Sequence, residues 1–390
     1  MTTSQERVEN LVIGGGPAGS MLAMRLADAG RSVTLLEKER KAHHKVCGEF
    51  LSHEAVMYLK QAGLDPCELG AVPIRFVRLS SGRRTAKAAL PFAALSLSRY
   101  VLDAKMLMLA QGKGCEVRRG AFVETLTKQD DHWRIQLRDG RSITAQTVFL
   151  ANGKHDLHGW ERPETIQNDL VGFKMHWRLN PTQTRVLREI MEVFLFRDGY
   201  GGLSLIEGEV ANLCLVVRRS GLRKIGGWSQ LVSTLLCENP LLLQRMQGAT
   251  PMWERPLAIS PIPYGYLAGR SSPIWSAGDQ AAVIPSFTGD GMSIALHSAS
   301  LAAEMFLGGR TADAYQQRLC AQLDRGMSLS TSLSRAMVSR IGRNLTPVAL
   351  AVFPSAMKWI ASSTRIPQES LLVTEADLAK ATAFRESNIA

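Results

Sequence analysis

The sequence predicts an α/β fold built on a parallel sheet, with an inserted antiparallel layer and a helical C-terminal region. Three observations predict it. The first is a strand, turn and helix near the N-terminus: the apolar run Leu11 to Ile13 leads into Gly14, Gly16 and Gly19 at G-x-G-x-x-G spacing, and Met21, Leu22, Met24 and Leu26 continue as a helix. The second is the continuous apolar run Thr147 to Leu150, which suits a parallel strand buried on both faces. The third is the block from 165 to 260, which lacks any such glycine unit and reads as short strands followed by a helical piece.

In the N-terminal unit Gly30 stops the helix, and Val33 to Leu36 form a second short strand that closes on Glu37. Together these make a dinucleotide fingerprint in its full strand, turn, helix and strand setting. Gly14 permits the tight turn, Gly16 lets the backbone approach a pyrophosphate, and Gly19 allows close helix–strand packing. The helix N-terminus, with Pro17 and Ala18 in its first turn, offers unpaired N–H groups and a partial positive charge to phosphates. Glu37, with Lys38 beside it, is placed to accept hydrogen bonds from both hydroxyls of an adenosine ribose. Its charge would repel a 2′-phosphate, which argues against NADP in this site.

At 390 residues the chain has room for two domains, or for one large α/β domain carrying an inserted layer. Apolar residues make up 45% and charged residues 21%, as in a globular protein with a large core. The net charge of +11 is not concentrated in any long basic run and has few aromatics beside it, which disfavours nucleic acid as a partner. The cysteines at 47, 67, 115, 214, 237 and 320 form no C-x-x-C pair and no metal-ligand spacing, so they read as reduced thiols with no metal. The polar N-terminus has no apolar segment of a signal type, and Leu345 to Ala361 is broken by Pro347 and Pro354. A cytoplasmic location is expected.

The other elements follow in order. Ser52 caps a helix that ends at Gly63, and Ile74 to Ser80 and Thr85 to Leu90 read as strands. Ser98 caps a helix with an apolar face of Val101, Leu102, Met106, Leu107 and Leu109. Cys115 to Arg118, Ala121 to Lys128, Trp133 to Leu137 and Ser142 to Thr144 look like an antiparallel meander. After the strand Thr147 to Leu150 comes the small-residue turn Ala151-Asn152-Gly153. Val171 to Leu179, Met191 to Phe196, Gly202 to Ile206 and Val210 to Arg218 are strands, with Gly208-Glu209 as a tight turn, and Trp228 to Met246 is helical. Ile274 to Asp279 is a strand ending in a turn, and the segment from Pro285 to Gly291 runs into the helix Met292 to Phe306. From Ala312 on the chain reads as mostly helical, with Arg318, Arg325, Arg335, Arg340 and Arg343 among apolar residues.

Three separated motifs now stand in a recognisable order. They are the glycine fingerprint with Glu37, the helix beginning Ser98-Arg99 and carrying Asp103, and Gly278-Asp279 followed by Pro285, Gly289, Asp290 and Gly291. From residue 8 to about 310 the chain resembles the FAD-dependent oxidoreductases that include para-hydroxybenzoate hydroxylase-type monooxygenases and geranylgeranyl reductases. The resemblance implies a glutathione-reductase-type Rossmann FAD-binding domain with an inserted antiparallel-sheet substrate domain. The expected division is 1–165 with 260–310 for FAD, 166–259 for substrate, with 65–95 contributing to that layer, and a helical region over 311–390.

The resemblance also assigns roles. Arg99 contacts the FAD pyrophosphate, Asp279 with Gly278 holds the ribityl chain, and Asn152-Gly153 belongs to the same site. The turn and helix start formed by Pro285, Gly289, Asp290, Gly291 and Met292 face the flavin ring, where a helix dipole would stabilise the reduced anion. Lys45-Val46-Cys47-Gly48-Glu49 and Tyr200-Gly201-Gly202-Leu203 resemble segments of the geranylgeranyl reductase branch. Cys47 and Gly48 are thereby placed beside the isoalloxazine, and Cys47, Glu49 and Tyr200 become the catalytic candidates. Glu49 stands where that branch has a glycine, and could serve as a proton donor or acceptor if buried or else be a solvated carboxylate. His43 and His44 read as exposed. The paired tryptophans of flavin-dependent halogenases are absent, as is a second glycine fingerprint.

The first functional expectation is an FAD-dependent monooxygenase, with NADPH or NADH as transient donor, acting on an apolar aromatic or polyketide-like small molecule. The second is an FAD-dependent reductase of carbon–carbon double bonds. The third is a flavin redox sensor or a membrane-surface partner, with the basic C-terminal region making peripheral membrane contact.

Overall fold

The computed structural model describes residues 6–165, 167–269, 273–339 and 354–373. The expected helical reading of Arg340 and Arg343 lies outside the described residues. Among the described residues no helix is long and apolar enough to cross a membrane.

The first sheet grows from β1 (Glu6–Ile13), which lies parallel between β2 (Val33–Glu37) and β9 (Ser142–Leu150). Successive side chains of β1 point to opposite faces. Val12 packs under helices α1 (Pro17–Asp28), α3 (Arg99–Gly112) and α8 (Gly291–Leu307), with Met21, Leu102, Met106 and Leu296 in the same cluster. Leu11 and Ile13 face the other way, onto Ile135, Ile143, Val148 and Leu150. The strand therefore carries two cores, one on each face, and its C-terminal end delivers the glycine turn to the top of the sheet.

Two expectations for this region are corrected. β6 (Glu116–Arg119) is not part of the meander. It is the edge strand of the parallel sheet, paired with β2 from Thr34↔Glu116 to Glu37↔Arg119. The meander is β7 (Val123–Lys128), β8 (Trp133–Leu137) and the start of β9. The segments read separately as Ser142 to Thr144 and Thr147 to Leu150 are one continuous strand. It pairs with β1 along its length and with β8 only at its start, so its pattern changes midway although the strand does not break.

The second sheet is larger and mostly antiparallel. Its central strands are β10 (Leu170–Arg178), β13 (Val210–Arg218), β12 (Gly199–Ile206) and β11 (Glu189–Phe196). β11 pairs in parallel with β4 (Val72–Ser81), which continues into β5 (Arg84–Ser96) and β3 (Phe50–Leu51). One face carries Phe173, Phe194, Phe196, Leu203, Leu213 and Leu215. These pack on Leu231 and Leu235 of α6 (Trp228–Glu238) and Leu242 of α7 (Pro240–Met246). The Asn239-Pro240 break divides what the sequence read as one helical piece, because Asn239 accepts from Leu242 N and caps the second helix.

The opposite face of this sheet looks inward. Ladder pairs place Lys174 opposite Cys214 and His176 opposite Asn212, then Val216 opposite Tyr200, with Val193, Met191, Leu79 and Val77 further along. The inner face thus runs from polar to apolar across the sheet. A one-residue slip in register would exchange it with the packed face.

The C-terminal region closes this end of the molecule. α9 (Ala312–Met337) buries Tyr315, Leu319, Leu323 and Met327, and Tyr315 donates to the Ser276 carbonyl at 2.7 Å. α10 (Pro354–Ser363) follows, and the chain then returns Thr364, Ile366 and Val373 to buried positions.

Candidate functional site

A groove of about 550 Å3 runs from the glycine turn to the N-terminus of α8 and is lined by Gly14, Gly16, Glu37, Arg99, Asp279 and Gly291, among others. Gly14 has φ +111°, and a Cβ there would lie 2.4 Å from the Ala151 carbonyl oxygen. A Cβ on Gly19 would lie 1.8 Å from the Gly14 carbonyl oxygen, so helix and strand touch through bare backbone. α1 opens at Pro17 with no side-chain cap, leaving its first N–H groups directed into the groove, and Pro17 and Ala18 are buried in its first turn. Glu37 is buried; one carboxylate oxygen accepts from Gly15 N and the other from Glu39 N, both at 2.9 Å, and Lys38 also lines the groove.

Two cations stand over the turn. A Cβ on Gly16 would meet only Arg99 Nη2 at 3.4 Å and Lys45 Nζ at 3.9 Å. Asp103 orients both, accepting from Arg99 Nε at 2.6 Å and Nη2 at 2.8 Å and pairing with Lys45 Nζ at 3.0 Å. Burial opposes the Arg99 charge, but the Asp103 carboxylate outweighs it and raises the Arg99 pKa. Burial likewise works against the Asp103 charge, and Arg99 and Lys45 override it and lower that pKa.

At the middle of the groove Asp279 pairs with Lys154 Nζ at 3.1 Å, and Gln280 donates to the Gly153 carbonyl at 2.7 Å. The neighbouring Asn152 donates to the His155 carbonyl, while its Oδ1 is buried without a partner among the described residues. At the far end the space beside Gly291 is open to 4 Å, and Asp290 makes no side-chain cap, so the first N–H groups of α8 also face the groove. Pro285 precedes a short turn that ends at Gly289, whose Cβ would lie 2.6 Å from the Phe50 ring; Gly278 packs against Ala18, and Met292 is buried.

Asp290 is buried, accepts from Thr364 Oγ1 at 3.3 Å and lies 3.7 Å from Arg365, which is itself bonded to Glu54. Burial raises its pKa to about 7, against the pull of Arg365. The folded state therefore holds a proton on Asp290 between about pH 4 and 7 that the unfolded chain has released, so this group makes stability fall as pH rises through that window. The Asp290→Asn variant is expected to lose this slope: its stability relative to the parent should grow from about pH 4 to 7 by up to a few kcal/mol. Thermal unfolding across that pH range checks this.

A second cavity of about 220 Å3 adjoins the groove, walled by Val77, Leu79, Phe92, Met191 and Val193 on one side and Met337 and Ile360 on the other. The two share Gly48, Phe50, Cys214, Val216, Ser286 and Gly289 in their walls. Three hydroxyls meet at this junction: Tyr200 lies 3.1 Å from Ser286 Oγ, and Tyr264 donates to the same oxygen at 2.7 Å. Burial raises the pKa of both tyrosines, so they hold their protons.

The remaining candidates lie at the polar end of the inner face. Cys47 is half-buried, and its Sγ accepts from Glu49 N at 3.3 Å. Glu49 is not a solvated carboxylate. It is fully buried at φ +58°, a conformation that costs a non-glycine residue about 1 kcal/mol. Its Oε1 accepts from Lys174 Nζ and from Arg99 N (2.9 Å), and its Oε2 lies 3.1 Å from His176 Nε2. Burial works against the Glu49 charge, and His176 and Lys174 more than offset it, so its pKa lies below the usual value. His43 and His44 are half-buried rather than exposed. His44 packs among Tyr100, Trp253 and His176, and burial lowers its pKa to about 4. The fold thus brings His44, Glu49 and His176 within metal-ligand reach of one another, which their spacing in the chain does not reveal, but the Lys174 ammonium occupies the place beside the carboxylate that a cation would take.

Lys154, Lys174, His176 and Tyr264 escaped the sequence reading, whereas Lys45 and Ser286 stood within segments it singled out but without a role of their own. Lys174 and His176 alternate with apolar residues as the outward side of any half-exposed strand would.

The residues fit FAD. A turn in which Gly14 and Gly19 leave no room for Cβ atoms, two oriented cations above it, Glu37 at one end, the orphaned Asn152 Oδ1 and an open helix N-terminus at the other match a dinucleotide carrying a flavin. Fold and groove together define a flavin-dependent oxidoreductase. Residues 7–150 match the model of the FAD binding domain family. Over most of its length the chain is similar to a menaquinone reductase of Mycolicibacterium smegmatis, 22% identical over 358 residues and covering 84% of each chain. A rifampicin monooxygenase of Streptomyces venezuelae is 26% identical over 148 residues, 37% of this chain and 31% of that one. Among solved structures a flavin-dependent brominase superposes with a TM-score of 0.74 at 15% identity, covering 98% of this chain and 99% of that one; this likeness shows the fold.

Proposed function

We propose that the chain is an FAD-dependent reductase of an apolar, unsaturated small molecule held in the second cavity, with NADPH or NADH as the transient donor. The observation that carries this reading is the cavity itself. Its described walls hold no carboxylate, imidazole or amine, it meets the FAD groove directly, and a buried tyrosine hydroxyl faces the junction. The similarity that spans the substrate layer is to a menaquinone reductase, whereas the similarity to a rifampicin monooxygenase is confined to 37% of the chain. Hydroxylation with oxygen, the first expectation from the sequence, is accordingly the second reading.

Bound FAD supplies two-electron transfer. The chain supplies the rest. Arg99 and Lys45 neutralise the pyrophosphate, the apolar walls exclude water from the junction, and Tyr200 keeps a proton on its hydroxyl for delivery, with Ser286 linking it to Tyr264 for resupply.

The test is turnover without oxygen. FAD-loaded protein reduced by NADPH or NADH and mixed anaerobically with menaquinone should yield a product heavier by two hydrogens. Product that forms only after oxygen is admitted, heavier by one oxygen atom, would replace this reading with the second. The cavity makes a separate prediction. Gly202 lines it, and a Cβ there meets nothing closer than Met191 Sδ at 3.5 Å, so Gly202→Leu should fold and bind FAD normally while filling the cavity. The expected result is a rise of tenfold or more in KM for the apolar substrate, about 1.4 kcal/mol, read by steady-state kinetics.

A further inference from the structure

We propose that Glu49, Lys174 and His176 form a charge-setting and positioning centre that fixes the cofactor-side loop onto the substrate sheet and tunes the reduction potential of the flavin. The inference rests on FAD occupying the groove, not on which reaction follows. Glu49 lines the groove and stands between Gly48 and Phe50, the two residues of its loop that line both cavities, so its backbone sits where groove and substrate cavity meet.

Three parts of the fold converge on that one residue. Its carboxylate takes the first N–H of α3 through Arg99 and the ammonium and imidazole of β10 through Lys174 and His176. Its backbone carbonyl takes Leu97 N and Ser96 Oγ, both at 3.0 Å. Lys174 and Glu49 are both completely buried, so neither charge is screened by water. The charged and titratable groups facing the pair are His176 and Cys214 on the substrate sheet, His44, Lys45 and Cys47 on the loop, and Arg99 and Asp103 on α3. A buried ion pair in such a wall acts on a bound redox group through the separate positions of its charges. Deleting the negative member favours the reduced, more negative flavin, and deleting the positive member disfavours it. A spacer that only held shape would show no such opposition of sign.

The experiment compares the FAD-loaded parent with E49Q, K174M and the double variant E49Q/K174M, reading the flavin midpoint potential by anaerobic dye equilibration and the FAD content after gel filtration. The expected result is a more positive potential in E49Q and a more negative one in K174M. Each shift should be about 30 mV or more, a tenfold change in the reduced-to-oxidised ratio for two electrons. The double variant should return toward the parent, because removing both members of a buried pair leaves no orphaned charge. Should E49Q not load, E49G deletes the same charge while relieving the left-handed backbone and takes its place. Single variants that lose FAD while the double retains it would also support the centre. Potentials that are unchanged, or that shift in the same direction in both singles, would overturn it, as would a double variant that cannot be loaded. An unshifted potential would leave the reductase reading intact, whereas a parent that takes up no FAD would defeat that reading first.

Discussion

Gly19→Val is expected to abolish FAD retention and to destabilise the fold by more than about 4 kcal/mol, the range reserved for a core element that cannot be repacked. The cause is geometric. The new Cβ would lie 1.8 Å from the Gly14 carbonyl oxygen and 3.3 Å from the Ala151 side chain, and a carbonyl oxygen at the end of a central strand has nowhere to move. α1 would have to lift from the sheet, exposing Met21, Leu22 and Leu26 and carrying its uncapped first N–H groups away from the groove. Urea unfolding of the purified variant, with flavin absorbance on the same sample, checks both parts.

Arg99→Ala is the second large effect, and it separates two contributions. Arg99 holds Asp103 through two short bonds, and both side chains are largely buried. Removing one partner of a buried pair costs about 3–5 kcal/mol, mostly because the other charge is left behind. Here Lys45 at 3.0 Å still compensates Asp103 in part, so a loss near the lower end, about 3 kcal/mol, is expected. FAD affinity should fall separately, through loss of a cation above the glycine turn. Arg99→Ala combined with Asp103→Ala should recover most of the stability and little of the affinity. Unfolding curves and FAD titrations of the three proteins measure the two effects independently.

The parts of this site that could be read in the sequence are those in which one short stretch contains its own mechanical reason. Gly14, Gly16 and Gly19 are such a stretch, because a turn, a phosphate approach and a helix contact each exclude a side chain within a few residues. The Ser98-capped helix is another, since Ser98 Oγ accepts from Val101 N at 3.2 Å as the cap pattern requires. The Glu49 centre is legible in no such way. Lys174 lies 125 residues from Glu49 and meets it only because β10 packs its inner face against the loop. Alternation reveals that a strand has two faces and leaves open which one is buried, so Lys174 and His176 look like solvent-facing residues. The same ambiguity misplaced β6, whose few residues carry no mark distinguishing a parallel edge strand from a meander strand.

The substrate layer was legible as strands and turns but not as a cavity. Val77, Met191 and Ile360 come from three distant parts of the chain, and only the folded sheet with the C-terminal helix over it makes them neighbours. Tyr200 was marked by resemblance alone; its partners Ser286 and Tyr264 lie 86 and 64 residues further on, and Ser286 is in contact with both tyrosines.

The most direct test of the central claim is the visible absorption spectrum of the purified protein after incubation with FAD and removal of free cofactor by gel filtration. An oxidised flavin spectrum co-eluting at one FAD per chain, bleached by NADPH or NADH under anaerobic conditions, is the predicted result. A folded, monodisperse protein that emerges without flavin would contradict it.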